Sequence, residues 1–141
     1  MAAVEHDHSI AIHPVHAAIL AGAPPLFLGG LLSDYAYFNS AQIQWSNFAA
    51  WLIAGAMVFT GLALLLSVID LIRIRQRRGR PVLYVLVLVS LFILGLINSF
   101  VHARDAWAVM PLGLALSVVV TLLAFAATWL GMARWRGSHT A

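Results

Sequence analysis

The sequence predicts an all-α integral membrane protein, a four-helix bundle whose successive helices run up, down, up and down. Four apolar runs fill most of the 141 residues. They cover about residues 15–32, 48–72, 82–101 and 109–132. Each run has the length that an α-helix needs to cross the ~30 Å hydrocarbon core. Charged residues make up 9% of the chain, against about 25% in soluble domains. This composition leaves no room for a soluble domain beside the spans.

The membrane domain is predicted to extend over residues 13–136, between two short tails. Residues 1–12 are expected to form a mobile cytoplasmic tail, and residues 137–141 a C-terminal one. The first residues include Glu5 and Asp7 but no basic residue, whereas a signal peptide begins with a positive segment. We therefore expect the first apolar run to be a retained helix.

Prolines mark positions within the spans and at their ends. Pro24 and Pro25 fall in the middle of the first run, where missing N–H groups should break or kink a helix. Pro81 and Pro111 stand where the third and fourth helices should start, a favourable place for proline. Residues 34–47 are expected to form the first loop, so the connections are short and consecutive helices should be antiparallel neighbours.

The arginines predict the orientation in the membrane. Five of the eight lie between residues 73 and 80, and Arg134 and Arg136 follow the fourth run. Only Arg104 lies at the opposite end of the spans. Because cytoplasmic loops carry an excess of basic residues, both termini and the arginine loop should face the cytoplasm of a bacterium, with the chain in its inner membrane.

A reporter fusion tests this orientation. A reporter attached after Ala141 should be active only in a cytoplasmic format, and one inserted near Trp107 only in a periplasmic format. Periplasmic activity of the fusion after Ala141 would overturn the assignment.

Aromatic side chains cluster near both predicted boundaries, as expected for rings that anchor at the headgroups. The outer belt comprises Tyr35, Tyr37, Trp45, Trp51 and Trp107, and the inner belt comprises Tyr84, Trp129 and Trp135.

Several chemistries have no residues to support them. The chain has no cysteine, which excludes disulfides, thiolate catalysis and cysteine-bound metal sites. No serine–histidine–acid pattern and no HExxH motif is evident in the sequence. We therefore expect no catalytic activity of the chain on its own. Its basic residues follow membrane topology, so nucleic acid is not an expected partner.

Three ionisable residues near the cytoplasmic boundary form the candidate cofactor or metal site. His13 and His16 are three apart at the start of the first helix, and Asp70 lies at a similar depth on the second. Haem, quinone or a divalent metal are the candidate ligands, since imidazole and carboxylate suit several metals. A proton site is equally open, as is a structural role in which Asp70 pairs with Arg73. We expect His16 and Asp70 to face each other.

A second polar group lies at the opposite end of the spans. Arg104 is predicted to pair with Asp34 and so to hold the outer ends of helices one and three together. Asn98, one turn before His102, is expected to face the bundle. His16 and His102 stand at opposite ends of their helices, more than about 20 Å apart, and cannot share one haem iron.

Short segments spread over about residues 10–137 share the pattern of a bacterial membrane family. They are His13-Pro14-Val15-His16, Pro24-Pro25-Leu26-Phe27, Leu31-Leu32-Ser33-Asp34, Ser67-Val68-Ile69-Asp70, Arg104-Asp105 and Trp129-Leu130-Gly131. These segments resemble the family called domain of unknown function 2231. The resemblance implies a four-helix module that opens with an HPxHP-type segment and has an aspartate at the end of helix one.

The chain departs from that family pattern at four positions. The second His-Pro of the HPxHP-type segment is His16-Ala17 in this chain. Ala23 replaces the phenylalanine that precedes proline in the family, and Ala21 stands where a further histidine is often found. A histidine that is common in the third helix of relatives has no clear match in this chain, and Tyr84 is the residue nearest to its position. A family cofactor site could therefore be lost here, and the resemblance implies architecture without an activity.

The function that these observations favour is that of an accessory, anchoring or cofactor-binding subunit of a membrane complex, in a respiratory or redox setting. The alternative is a proton or small-solute carrier or channel that works as an oligomer. Glycine and serine on the spans allow close helix contact. We therefore expect a homo-oligomer or a larger complex as partner, in addition to membrane lipid.

Overall fold

The computed structural model describes residues 13–73 and 79–137, and it confirms the all-α membrane bundle. The helices are α1 (Pro14–Ser40), α2 (Ile43–Arg73), α3 (Arg80–His102) and α4 (Leu112–Gly137), with a 3-10 turn at Ala106–Ala108. Each of the four helices is long and apolar enough to cross a membrane. The predicted N-terminal tail (residues 1–12) lies outside the described residues. Of the predicted C-terminal tail (residues 137–141), Gly137 ends α4 and the rest lies outside them.

The first helix is longer than its apolar run. It continues to Ser40, so the predicted loop over residues 34–47 is wrong, and only Ala41 and Gln42 connect α1 to α2. Polar side chains in the last turn of α1 bond to carbonyls four residues earlier, which makes them compatible with a helix. Ala41 then closes the helix in the left-handed conformation, with its N–H bonded to the Tyr37 carbonyl.

The proline pair does not divide the first span. α1 is assigned as one helix through Pro24 and Pro25, and Pro24 is buried against the other helices. Neighbouring helices commonly make such prolines tolerable inside a membrane. The expected break is therefore absent.

The four helices form a square in cross-section. α1 packs against α2 and α4, and α3 packs against the same two helices, so α1 and α3 face each other across the diagonal. The core between them is apolar along most of its length and includes Leu20, Phe27, Ile53, Leu88, Leu91 and Val120. Gly30 brings α1 close to α2, because a Cβ atom there would lie 3.1 Å from the Ile53 Cγ1 atom.

The aromatic residues divide into two groups. Trp51, Trp107 and Trp129 are exposed on the outer surface of the bundle, where anchoring rings belong. Tyr37 and Tyr84 are buried, so the prediction that they belong to the belts is wrong. Tyr84 instead takes part in a polar cluster inside the bundle.

Candidate functional site

One buried polar cluster lies at the end of the bundle that carries the arginine loop. We call it the His16 cluster, and it consists of His16, Ser67, Asp70 and Tyr84. The first turns of α1 and α3 and the last turns of α2 bring these residues together. His16 Nε2 lies 3.2 Å from the Ser67 hydroxyl and 3.2 Å from the Tyr84 hydroxyl. The imidazole thus joins three of the four helices.

The other ring nitrogen of His16 faces a carboxylate. Its Nδ1 atom lies 3.7 Å from Asp70 Oδ2, so the structure places the two residues opposite each other as expected. The His16 side chain is 2% exposed, whereas that of Asp70 is 36% exposed. Asp70 is therefore the member of the cluster that reaches the surface at this end.

His13 does not join the cluster through a direct contact. It is exposed and precedes the first turn of α1, where its Nδ1 atom accepts a hydrogen bond from the Val15 N–H at 3.3 Å. Among the described residues, no three histidine, cysteine, aspartate or glutamate side chains come together as a metal site. The combination of His13, His16 and Asp70 is thus not assembled as one ligand set.

A second buried cluster lies at the opposite end of the bundle. We call it the Asp34 cluster, and it consists of Asp34, Asn98, His102 and Ser117. Asp34 is fully buried, its Oδ1 atom lies 2.7 Å from His102 Nε2, and its Oδ2 atom accepts a hydrogen bond from Ser117. The predicted pair of Asp34 with Arg104 is wrong, because both carboxylate oxygens have these other partners and Arg104 is exposed.

The Asp34 cluster closes on itself as a ring of hydrogen bonds. The Asn98 side-chain amide donates to the Ser117 hydroxyl at 3.0 Å, and Ser117 donates to Asp34. His102 Nδ1 completes the ring by donating to the main-chain carbonyl of Asn98 at 2.9 Å. The expectation that Asn98 faces the bundle agrees with this position.

The two clusters mirror each other across the membrane. His16 and Asp34 belong to α1, Tyr84 and His102 belong to α3, and the same number of residues separates the members of each pair. With a helical rise of 1.5 Å, that number corresponds to about 27 Å. Each cluster therefore ties the diagonal helices α1 and α3 together near one boundary of the hydrocarbon core.

The hydroxyl groups of the two clusters do not have the hydrogen-bond partners that a nucleophilic serine needs. Ser117 bonds the carboxylate of Asp34 and not the imidazole of His102, whereas a catalytic serine must give its proton to the imidazole. Ser67 lies beside His16, but its hydroxyl also donates to the Ala63 carbonyl at 2.7 Å. The arrangement suits hydrogen bonding and proton exchange.

Sequence reasoning missed the contributions of three hydroxyl residues, Ser67, Tyr84 and Ser117. A serine or tyrosine in an apolar span is common, and nothing in its type shows that it faces the bundle. The equal spacing of the α1 and α3 pairs was the available signal, because it places their side chains at two matching depths.

Comparison with known proteins gives one match. Residues 12–137 match the model of the family described as predicted membrane protein, DUF2231. No curated protein and no solved structure matches the chain.

Proposed function

We propose that this chain, which belongs to the DUF2231 family of membrane proteins, is an accessory subunit anchored in a larger redox complex of the bacterial inner membrane. We propose further that the His16 cluster is the part of the subunit that meets a small ligand of that complex. Both termini then face the cytoplasm, as the arginine distribution predicts.

The closed interior of the bundle is the observation that carries this proposal. Polar contacts tie α1 to α3 near both ends, and a packed apolar core fills the space between them. A bundle of this kind offers partners its side surface, which carries large apolar residues on all four helices. About 27 Å of mostly apolar core separates the His16 cluster from the Asp34 cluster. This separation favours the accessory role over the alternative of a carrier or channel within one protomer.

The donor set of the His16 cluster favours a quinone among the candidate ligands. A quinone carbonyl needs hydrogen-bond donors, and the Tyr84 hydroxyl and the His16 imidazole supply them once the first turns of α1 and α3 move apart, since both side chains are buried. A metal would need more ligands than His16 and Asp70, and a haem iron would need an axial partner from another subunit. His13 keeps its Nε2 atom for a ligand while Nδ1 accepts from the Val15 N–H, but its exposed side chain lies outside the cluster.

Purification from native membranes tests both parts of the proposal. After crosslinking and extraction in a mild detergent, we expect the chain to carry a partner subunit in fixed stoichiometry, with quinone in the extracted lipid. His16→Ala should lower the quinone content while the partner is retained, and His13→Ala is the matched control. A chain that stays monomeric in native membranes would contradict the accessory role. Equal quinone content in both variants would contradict the ligand site.

A further inference from the structure

The two buried histidines differ in the kind of partner that faces each ring nitrogen. We infer that His16 is an exchangeable proton-binding site whose charged form is stabilised by Asp70, at the arginine end of the bundle, whereas the Asp34–His102 pair keeps one shared proton. This inference goes beyond the accessory role and stands without it, since it concerns the chain alone.

The partners of His102 can only accept hydrogen bonds. Its Nδ1 atom faces the Asn98 carbonyl, so that nitrogen must carry a hydrogen. Its Nε2 atom lies 2.7 Å from a carboxylate oxygen of Asp34, and one proton lies between them, whichever atom holds it. A second proton on Oδ1 would place two hydrogens against each other, and one on Oδ2 would oppose the hydrogen that Ser117 donates to that oxygen. Loss of the first proton would leave two lone pairs facing. Either change would also bury a net charge.

The partners of His16 accept either protonation state of the imidazole. Hydroxyl groups both donate and accept, so the Tyr84 hydroxyl can donate to a bare Nε2 atom or accept from a protonated one. The Ser67 hydroxyl donates to the Ala63 carbonyl, which leaves its oxygen able to accept from Nε2. On the other side of the ring, a protonated Nδ1 faces the Asp70 carboxylate. Both states therefore find partners.

The two histidines also differ in whether the carboxylate that faces each of them reaches the surface. Asp70, which faces His16, has a side chain that is 36% exposed, whereas Asp34, which faces His102, is fully buried. Asp70 thus faces the His16 ring from the accessible end, and its negative charge favours the state in which both ring nitrogens carry a hydrogen. Within residues 13–73 and 79–137, no comparable carboxylate connects the His102 ring to the surface.

The ionisable groups around His16 come from several helices. Asp70 belongs to α2, and Arg73 follows it on the same helix and is exposed. Tyr84 belongs to α3, and His13 precedes His16 by one turn of α1. The part of α4 from Leu112 to Ala133 has no ionisable side chain. Asp70 is therefore the acidic group that the structure places beside the His16 ring.

Nitrogen NMR of the full chain in lipid bilayers tests the inference, and the sequence makes the labelling selective. Val15–His16 and Val101–His102 are the only Val–His pairs in the chain. Carbonyl-labelled valine, combined with histidine labelled at all carbons and nitrogens, therefore selects the backbone amides of the two relevant residues out of six histidines. The signal of each ring is then reached from its own amide through the labelled side-chain carbons. The His16→Gln variant assigns the two signals, since one of them disappears.

The expected result is a change at one histidine only. Between pH 8 and pH 5, the range in which imidazoles exchange protons, the His16 ring should pass from one protonated nitrogen to two. The His102 ring should keep its signal across the range. The Tyr84 ring carbon that bears the hydroxyl should change together with His16, because the hydroxyl turns from donor to acceptor, and Tyr35 serves as the exposed control.

Three outcomes would overturn the inference. They are a His16 signal that does not change with pH, a His102 signal that changes in parallel, and a Tyr84 signal that stays constant while His16 changes. The measurement uses the chain without partner or quinone, so its failure is separate from a failure to find the complex.

Discussion

Replacing Asp34 with alanine is expected to lower the free energy of unfolding by about 3–5 kcal/mol, the cost of breaking a buried charge pair from one side. Asp34 is fully buried, and both of its carboxylate oxygens have partners. The substitution leaves the buried His102 and Ser117 side chains without their shared acceptor. It also removes the contact that ties α1 to α3 at that end of the bundle.

Unfolding by a denaturing detergent in mixed micelles measures this loss. Asp105→Ala is the matched control, because it removes an exposed carboxylate from the same end of the bundle. Arg104→Ala should change stability little, since Arg104 has no part in the Asp34 cluster. A double-mutant cycle with His102→Ala should give a coupling of about 1–3 kcal/mol. Equal effects of Asp34→Ala and Asp105→Ala would contradict the structure at this site.

Replacing Phe27 with alanine is expected to lower the free energy of unfolding by about 3–5 kcal/mol, as large-to-small changes in packed cores do. Phe27 is 0% exposed and lies between the two polar clusters, where α1 meets the rest of the core. Its ring also approaches α3, because a Cβ atom at Gly95 would lie 3.5 Å from the Phe27 Cζ atom. The cavity left behind would therefore separate helices that pack on opposite sides of the ring.

Phe38→Ala is the matched control for this prediction. Phe38 is the same residue type on the same helix, but 57% of it is exposed. Lipid or detergent can fill the space that it leaves, so we expect a loss well below that of Phe27→Ala. If the two variants unfold at the same detergent concentration, the core position of Phe27 is wrong.

The two clusters are expected to contribute differently to the protein, one to stability and the other to binding. The Asp34 cluster is a closed ring of hydrogen bonds, and its contribution is to stability. The His16 cluster has a carboxylate that reaches the surface and hydroxyls that adapt to either state of the imidazole. We therefore expect loss of Asp34 to act mainly on unfolding, and loss of His16 to act mainly on proton and ligand occupancy.

The sequence alone determined the membrane location, the number of helices and their class of fold. These follow from the length of each apolar run, because the thickness of the hydrocarbon core demands that length and backbone groups must be satisfied within each helix. The short segments around His13 and Asp34 also indicated the family that the residue 12–137 match identifies. Helix ends were less accurate, and the last turns of α1 were assigned to a loop because their side chains are polar.

Only the tertiary structure decided which polar residues meet inside the bundle. Arg104 and Asp34 carry opposite charges at the same end of the spans, so sequence reasoning paired them. The rotation of α3 and α4 about their axes instead turned His102 and Ser117 towards that carboxylate. The same rotation buried Tyr84 beside His16. Hydropathy gives the depth of a residue in the membrane but not the direction in which it points, and that direction is set by the packing of all four helices together.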